Sequence, residues 1–143
     1  MKFEHNNISP LDNRYSSKIL DTRLCFSEAE LIKQRFIIEI DWLIYLCDKY
    51  PKHFLKISNT LKNKLSIFKN QFSDKYVLKI KKIEKKTNHD VKAVEYFIKD
   101  YFLKDKQLAK YIHLIHFGLT SEDVNSLAYA IMIKTGIKIH IQK

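Results

Sequence analysis

Apolar residues recur at intervals of three or four along much of this chain, which is the spacing of one face of an α-helix. Between Ile57 and Thr87 the repeat is long enough for one or two amphipathic helices. Its apolar positions are Leu61, Leu65, Phe68, Phe72, Tyr76, Ile80 and Ile83. Many of the intervening positions are lysines, so we expect one face of these helices in the core and the other in water.

A longer helix is predicted to begin at Ser27. The sequence FSEAE places Glu30 three residues after Ser27, which is the capping-box pattern that satisfies the free amides of a helix start. Pro51 disfavours helical backbone at the residue before it, so the helix should end at about Tyr50.

The middle of that helix is apolar on nearly every side. From Phe36 to Cys47 only Glu39 and Asp41 are charged. Such a segment is typical of a helix buried among other helices, and it is too short and too charged to cross a bilayer. The opening residues, MKFEHNNISPLDNRY, contain no apolar stretch of the kind found in signal peptides. We therefore expect a soluble, cytoplasmic protein.

The residues before about Leu24 show no sustained periodicity. They include Pro10 and Asn13, followed by two serines at positions 16 and 17. Both features are typical of irregular backbone, so we predict an irregular or extended entry segment.

Two further helix starts are predicted. Asp90 precedes apolar positions between Val91 and about Phe102, and its carboxylate is a candidate N-cap. Gly118 is expected to end the segment AKYIHLIHFG. After it, Thr120, or Ser121 in its place, is a candidate N-cap for a helix that runs to about Lys134.

The composition agrees with a helical protein. Of 143 residues, 45% are hydrophobic and 29% are charged, and there are only two glycines and two prolines. This is too apolar for a disordered chain and too poor in turn-forming residues for an all-β sandwich. We predict an all-α fold.

The formal net charge of +10 raises the question of nucleic-acid binding. Nearly all of the positive charge comes from lysine, with only three arginines, and Lys, Ile, Asn and Tyr are abundant while Ala and Gly are scarce. A biased genome composition produces this pattern without selection for binding. We attribute the charge to that bias first and to nucleic acid second.

Common catalytic motifs are missing from the sequence, which has no Gly-rich phosphate loop, nucleophile elbow or paired-histidine zinc helix. His113 and His116 could hold a metal between them, but no third ligand stands at a recognisable spacing, so we interpret them as core or surface histidines. Cys25 and Cys47 are far apart and form no CxxC pair, which argues against a zinc site and a disulfide framework.

Two polar stretches could bind anions. Arg14 presents a fork of donors suited to phosphate or carboxylate, with the hydroxyl of Tyr15 beside it; the alternative is a surface arginine paired with Asp12. Thr120 and Ser121 stand at a predicted helix start, where free amides and the helix dipole favour an anion. A plain N-cap is the alternative there.

The stretch TNHD combines an amide, an imidazole and a carboxylate. Asn88 and Asp90 flank His89, so Asp90 could orient or charge the imidazole as well as cap the helix. Each of the three polar stretches has a structural explanation by itself. Taken together, they outline a pocket for a ligand with several anionic groups.

Four segments of the chain resemble the N-terminal region of the adenylosuccinate lyase family, a branch of the fumarase and aspartase superfamily. They are ISPLDNRY, FSEAELIKQRFIIEIDWL, IEKKTNHDVKAVEYFIKD and IHFGLTSEDVNSLAYAIMIK. The resemblance runs from about Ile8 to about Lys134. It implies an N-terminal helical domain over residues 1–111 and the start of a central helical bundle over residues 112–143.

The resemblance implies an activity as well, the β-elimination of fumarate from adenylosuccinate and from succinylaminoimidazole carboxamide ribotide in purine biosynthesis. It implies no metal, no organic cofactor and a homotetramer. By resemblance, Arg14 and Tyr15 match the pair that grips the nucleotide phosphate. Asn88, His89 and Asp90 match a substrate-lining loop in which the histidine assists, and Thr120 and Ser121 match the pair that meets a succinyl carboxylate.

In that family the general-acid histidine and the catalytic loop serine come from later segments, which these 143 residues do not contain. We therefore expect the isolated chain to lack lyase activity. The alternative is a non-catalytic basic helical module that binds nucleotide or nucleic acid.

Overall fold

The computed structural model describes Ser9, Leu11 and residues 14–141, and within these residues the regular structure is entirely helical. The all-α prediction is confirmed. The α-helices are α1 (Leu20–Phe26), α2 (Glu28–Lys49), α3 (Asn59–Asn70), α4 (Asp74–Thr87), α5 (Asp90–Phe102) and α6 (Ser121–His140). Two 3₁₀ helices cover Ser16–Ile19 and Leu108–Leu114.

Helix α2 lies at the centre and contacts each of the other five α-helices. Its Phe36 side chain is completely buried. The centroid of the Phe36 ring lies 4.9, 5.2 and 6.0 Å from the ring centroids of Phe68, Phe72 and Phe97. These rings come from α3, the α3–α4 connection and α5. The prediction of a helix buried among other helices is confirmed.

The start of α2 forms half of the predicted capping box. The Ser27 hydroxyl accepts a hydrogen bond from the Glu30 amide at 3.2 Å. The Ser27 amide, however, donates to the Arg23 carbonyl at 3.1 Å, because Ser27 also ends α1. The Glu30 carboxylate instead accepts from Gln34 at 2.6 Å and from Lys33 at 3.0 Å.

The prediction of irregular backbone up to Leu24 is wrong for the part of the segment that the structure describes. A 3₁₀ helix at Ser16–Ile19 leads directly into α1. Helix α1 contacts both α2 and α6, and its Cys25 side chain is 1% exposed. Packing against these longer helices stabilises a seven-residue helix that has too few residues to show a periodicity. Pro10 and Asn13 lie outside the described residues.

The repeat between Ile57 and Thr87 forms two helices, α3 and α4, as predicted. Ser58 caps α3 by accepting from the Leu61 amide at 3.3 Å. On α4, Ile80 is completely buried and Ile83 packs against the core, while most lysines of the helix are exposed. The lysine-rich face is therefore a solvated face, as its spacing indicates.

Helix α6 is longer than predicted, since it continues past Lys134 to His140. It passes through Gly136, where the ring of Phe26 from α1 lies so close that a Cβ at position 136 would clash with the ring. Contact with α1 stabilises this part of α6. The glycine weakens the helix locally but allows the two helices to approach closely.

None of the helices in the described part of the chain combines the length and the apolar character needed to cross a membrane. The division into residues 1–111 and 112–143 stays a prediction.

The contact between Gly136 and Phe26 predicts a double-mutant result. In a Phe26→Ala background, Gly136→Ala should stabilise the protein by about 1 kcal/mol, because alanine is the better helix former. In the native background the gain should be smaller or reversed, because the Phe26 ring must move. Urea denaturation of the four proteins measures this coupling. Equal effects in both backgrounds would show that the ring does not restrict position 136.

Asp105 predicts a pH dependence of stability. Its carboxylate pairs with Lys64 and accepts from the Leu108 and Gln107 amides at 3.1 and 2.8 Å. These contacts lower the pKa of Asp105 from 3.8 to about 2, and the pair with Lys64 has the largest effect. A carboxyl with a lowered pKa stabilises the folded state above its unfolded pKa, and this contribution disappears as the pH falls through about 2.

Replacing Asp105 with Asn should therefore lower the melting temperature at pH 7, and the difference from the native protein should shrink between pH 4 and pH 2. Asp100→Asn, an exposed change on α5, is the matched control and should leave the melting temperature at pH 7 nearly unchanged. A deficit in Asp105→Asn that stays constant with pH would contradict the assignment.

Candidate active site

The predicted loop TNHD forms a tight corner between α4 and α5. Asn88 adopts the left-handed conformation, with φ 50° and ψ 35°, and its amide donates to the Glu84 carbonyl at 2.8 Å. The Thr87 hydroxyl lies 3.3 Å from the carbonyl oxygen of Ile83 in the last turn of α4. Asparagine tolerates the left-handed region better than most residues, so it can end one helix immediately before the next begins.

His89, and not Asp90, is the N-cap of α5. Its Nδ1 accepts a hydrogen bond from the Lys92 amide at 3.3 Å. Asp90 is the first residue of the helix, where its carboxylate accepts from the Val91 amide at 2.8 Å. The prediction that Asp90 caps this helix is wrong, because its carboxylate also turns toward Arg35 on α2. The Asp90 Oδ1 atom lies 3.6 Å from His89 Nδ1, beyond hydrogen-bond distance.

Arg35 joins this corner to α6. One guanidinium nitrogen, NH2, lies 2.6 Å from Asp90 Oδ2, and Nε donates to Asn125 Oδ1 at 2.8 Å. The arginine is 5% exposed. Its planar fork thus contacts the first turn of α5 and the second turn of α6 at the same time.

Two opposing effects act on the Asp90 carboxyl. Partial burial raises its pKa, but the Val91 amide and the Arg35 guanidinium outweigh burial and hold the pKa below its ordinary value. Asp90 is therefore ionised at neutral pH.

Helix α6 begins with a complete capping box. The Thr120 hydroxyl accepts from the Asp123 amide at 3.2 Å, and both the Thr120 amide and its hydroxyl donate to Asp123 Oδ2 at 2.7 Å. These two contacts from Thr120 lower the pKa of Asp123. The Ser121 hydroxyl has no hydrogen bond to another described residue, so it is the freer of the two predicted ligand-binding hydroxyls.

The loop before α6 is attached to α2. His116 Nδ1 lies 2.6 Å from Glu39 Oε1, and the Trp42 indole donates to the Phe117 carbonyl at 2.8 Å. His116 and Gly118 are both left-handed, with φ of 65° and 69°. The predicted helix before Gly118 is a 3₁₀ helix that already ends at Leu114, since the pair with Glu39 holds His116 in a non-helical conformation.

Glu39 is completely buried on α2. Burial raises the pKa of its carboxyl, while the contact with His116 acts in the opposite direction. His116 is therefore a partly buried histidine with a carboxylate partner, and His113 is exposed. The described residues contain no group of three His, Cys, Asp or Glu placed to hold a metal.

The residues that organise the site were not predicted from the sequence. Arg35, Glu39 and Trp42 are spaced four and three residues apart, so they lie on one face of α2 and point to the starts of α5 and α6. One signal in the sequence could have identified them. Arg35 and Glu39 are opposite charges one turn apart in a helix that is predicted to be buried. A buried charge requires a partner, and that partner must come from another element.

Arg14 and Tyr15 lie at the surface beside the first 3₁₀ helix. The Arg14 guanidinium carbon is 5.4 Å from the centroid of the Tyr15 ring, and Lys18 approaches the same ring. These contacts do not connect the pair to the other two predicted stretches within the described residues. Asp12, the alternative partner of Arg14, lies outside them.

An open depression runs along the corner between α4 and α5. Among the residues that line it are Lys81, Lys82, Lys85, Asn88, His89 and Asp90. Lys81 pairs with Glu84, which also lines the depression, whereas Lys82 and Lys85 have no carboxylate partner among the described residues. These two lysines, together with the amide and imidazole groups, suit a ligand with anionic oxygen atoms.

Comparison with known proteins supports the same family. A protein named adenylosuccinate lyase from Legionella pneumophila strain Corby is 44% identical over 139 residues, which is 96% of this chain and 30% of the relative. The chain is a homologue of adenylosuccinate lyase. Adenylosuccinate lyases of Buchnera aphidicola subsp. Baizongia pistaciae and Escherichia coli K12 are 44% and 40% identical over 89% and 90% of the chain. No protein-family model matches the chain.

The chain spans about 30% of the length of the adenylosuccinate lyases of two Legionella pneumophila strains. The match covers nearly the whole chain, including the two polar stretches that Arg35 joins.

Removing the Arg35 guanidinium should destabilise the protein. Arg35→Met keeps the stem in the core but leaves Asp90 and Asn125 without their partner. We expect a loss of about 2 kcal/mol in the free energy of unfolding, less than for a fully buried pair because Asp90 reaches water. Lys33→Met, which removes a half-exposed pair on the same helix, is the control and should cost below about 0.5 kcal/mol. Urea denaturation at pH 7 measures both, and equal losses would contradict the role of Arg35.

Proposed function

We propose that these residues form part of the substrate site of an adenylosuccinate lyase. The reaction removes a proton from the Cβ of the succinyl group, breaks its Cα–N bond, protonates the leaving nitrogen and releases fumarate. The substrates would be adenylosuccinate and succinylaminoimidazole carboxamide ribotide, in purine biosynthesis. The contact that carries the proposal is Arg35 with Asp90 and Asn125, because it brings the starts of α5 and α6 together.

The proposed division of labour follows the chemistry of each group. Ser121 donates its free hydroxyl to a succinyl carboxylate at the start of α6, where amides and the helix dipole already favour an anion. Thr120 supports this contact through its backbone and its capping box. Arg14 and Tyr15 hold the nucleotide phosphate as a fork of donors and a hydroxyl.

Asn88, His89 and Asp90 form the wall beside the substrate. The amide of Asn88 and the imidazole of His89 can hydrogen-bond to polar atoms of the substrate. Asp90 acts mainly by holding Arg35. The groups that move protons would come from other segments of the complete enzyme, which we expect to be a cytoplasmic homotetramer.

The first test is turnover. The purified 143-residue chain, incubated with adenylosuccinate, should release no fumarate above the uncatalysed rate, because the wall of a site without its acid and base cannot lower the barrier. Fumarate release at an ordinary enzymatic rate would disprove this division of labour.

A hybrid enzyme tests the site itself. The hybrid is the Escherichia coli relative in which the residues matched by this chain are replaced by those of this chain. We expect this hybrid to be an active lyase. Ser121→Ala in the hybrid should lower kcat/KM by about 10- to 100-fold, the loss expected for one hydrogen bond to a charged group. Ser126→Ala removes an exposed hydroxyl on the same helix and should have little effect.

Equal losses in the two hybrid variants would contradict the role of Ser121. An inactive hybrid, combined with salt-sensitive binding of the 143-residue chain to duplex DNA, would favour a basic binding module in place of a lyase.

A further inference from the structure

A second cavity lies where α3, α4 and α5 meet, with a volume of about 420 Å³. This volume is within the range of pockets that hold small molecules. Its apolar wall is aromatic and is formed by Phe68, Tyr76, Phe97 and Tyr101. The Tyr101 ring lies parallel to that of Phe68, and the Tyr76 and Phe97 centroids are 5.0 Å apart. Phe68 is completely buried and Phe97 is 8% exposed, so the partly exposed rings of Tyr76 and Tyr101 form the surface that a planar ligand would meet.

The rim of this cavity is strongly basic. Lys79, Lys82 and Lys86 come from one face of α4, and Lys104 comes from beyond the end of α5. None of the four pairs with a carboxylate of another described residue. Asp100 is the single carboxylate among the lining residues, so the rim carries excess positive charge.

Some lysines elsewhere in the described chain do have carboxylate partners. Lys62 pairs with Asp48, Lys69 with Asp41, and Lys81 with Glu28 and Glu84. The lysines around the cavity lack such partners among the described residues, so they are available for an anion, and the aromatic wall lies directly beside them.

We propose that this cavity binds an aromatic anion, a planar ring system that carries a phosphate or carboxylate group. The ring would pack against the aromatic wall, and the anionic group would meet the lysines of the rim. Exposed lysines alone bind an anion weakly, and the wall alone does not select a charged ligand. The two surfaces together favour a ligand that has both parts. Lys82 borders both this cavity and the depression at the corner between α4 and α5, but the aromatic wall lines this cavity alone, and neither proposal rests on the other.

Titration of the ¹⁵N-labelled 143-residue chain with 1-naphthyl phosphate at low salt tests the location. We expect saturable shifts of the amides of Ile83, Thr87 and Tyr101. 1-Naphthoate should bind at the same amides, and comparing the two shows which anionic group is preferred. 1-Naphthol and inorganic phosphate, which each lack one half of the ligand, should bind at least about tenfold more weakly. Shifts centred on Asn88 to Asp90 or on Ser121 would overturn the proposal.

Paired variants test the mechanism. Lys79→Glu with Lys86→Glu should weaken 1-naphthyl phosphate binding by about tenfold or more, from the reversal of two charges at the rim. Lys49→Glu with Lys52→Glu lowers the formal net charge equally, from +10 to +6, at positions away from the cavity and should change the affinity by less than about twofold.

Asp100→Asn removes the carboxylate at the rim and should tighten binding by about two- to threefold. Equal weakening in both lysine pairs would show that the ligand responds only to overall charge, and no effect of Asp100→Asn would show that the anionic group does not lie at this rim. Unliganded spectra of each variant verify that the fold is retained, so a loss of binding can be assigned to the cavity.

Discussion

Arg35 is held between Asp90 and Asn125, and the site depends on this contact. Removing a guanidinium from water costs several kcal/mol unless its donors are matched, so a buried arginine requires partners at fixed positions. Here those partners belong to two different helices. Satisfying one side chain on α2 therefore sets where α5 and α6 begin relative to each other, and the two polar stretches at those helix starts are brought to one region of the surface.

The same face of α2 controls the connection before α6. Glu39 is buried and holds His116, and one turn further Trp42 holds the carbonyl of Phe117. Left-handed backbone at His116 costs free energy, and a loop adopts it only where other contacts require it. The attachment of the loop to α2 supplies those contacts. Ser121 therefore stands on a helix whose start is fixed by the core of the protein.

Much of this architecture could be predicted from the sequence, because long helices have clear periodicity and caps. Helix α2, the pair α3 and α4, and the cap at Thr120 follow from local patterns. Helix α1 and the extension of α6 past Gly136 could not be predicted, because tertiary packing between Phe26 and Gly136 stabilises them. The cap of α5 was assigned to the wrong residue, since Arg35, 55 positions away in sequence, attracts the Asp90 carboxylate.

The cap of α5 has a consequence for the chemistry of His89. A ring nitrogen that accepts a hydrogen bond from a backbone amide cannot itself carry a proton, so the neutral imidazole is in the Nε2–H tautomer. The nitrogen that the cap leaves available is therefore a hydrogen-bond donor. Such a ring suits carboxylate, phosphate or carbonyl oxygen atoms, and it can polarise them. Using Nδ1 as a base would remove the cap of α5, so we expect this histidine to bind substrate rather than to abstract a proton.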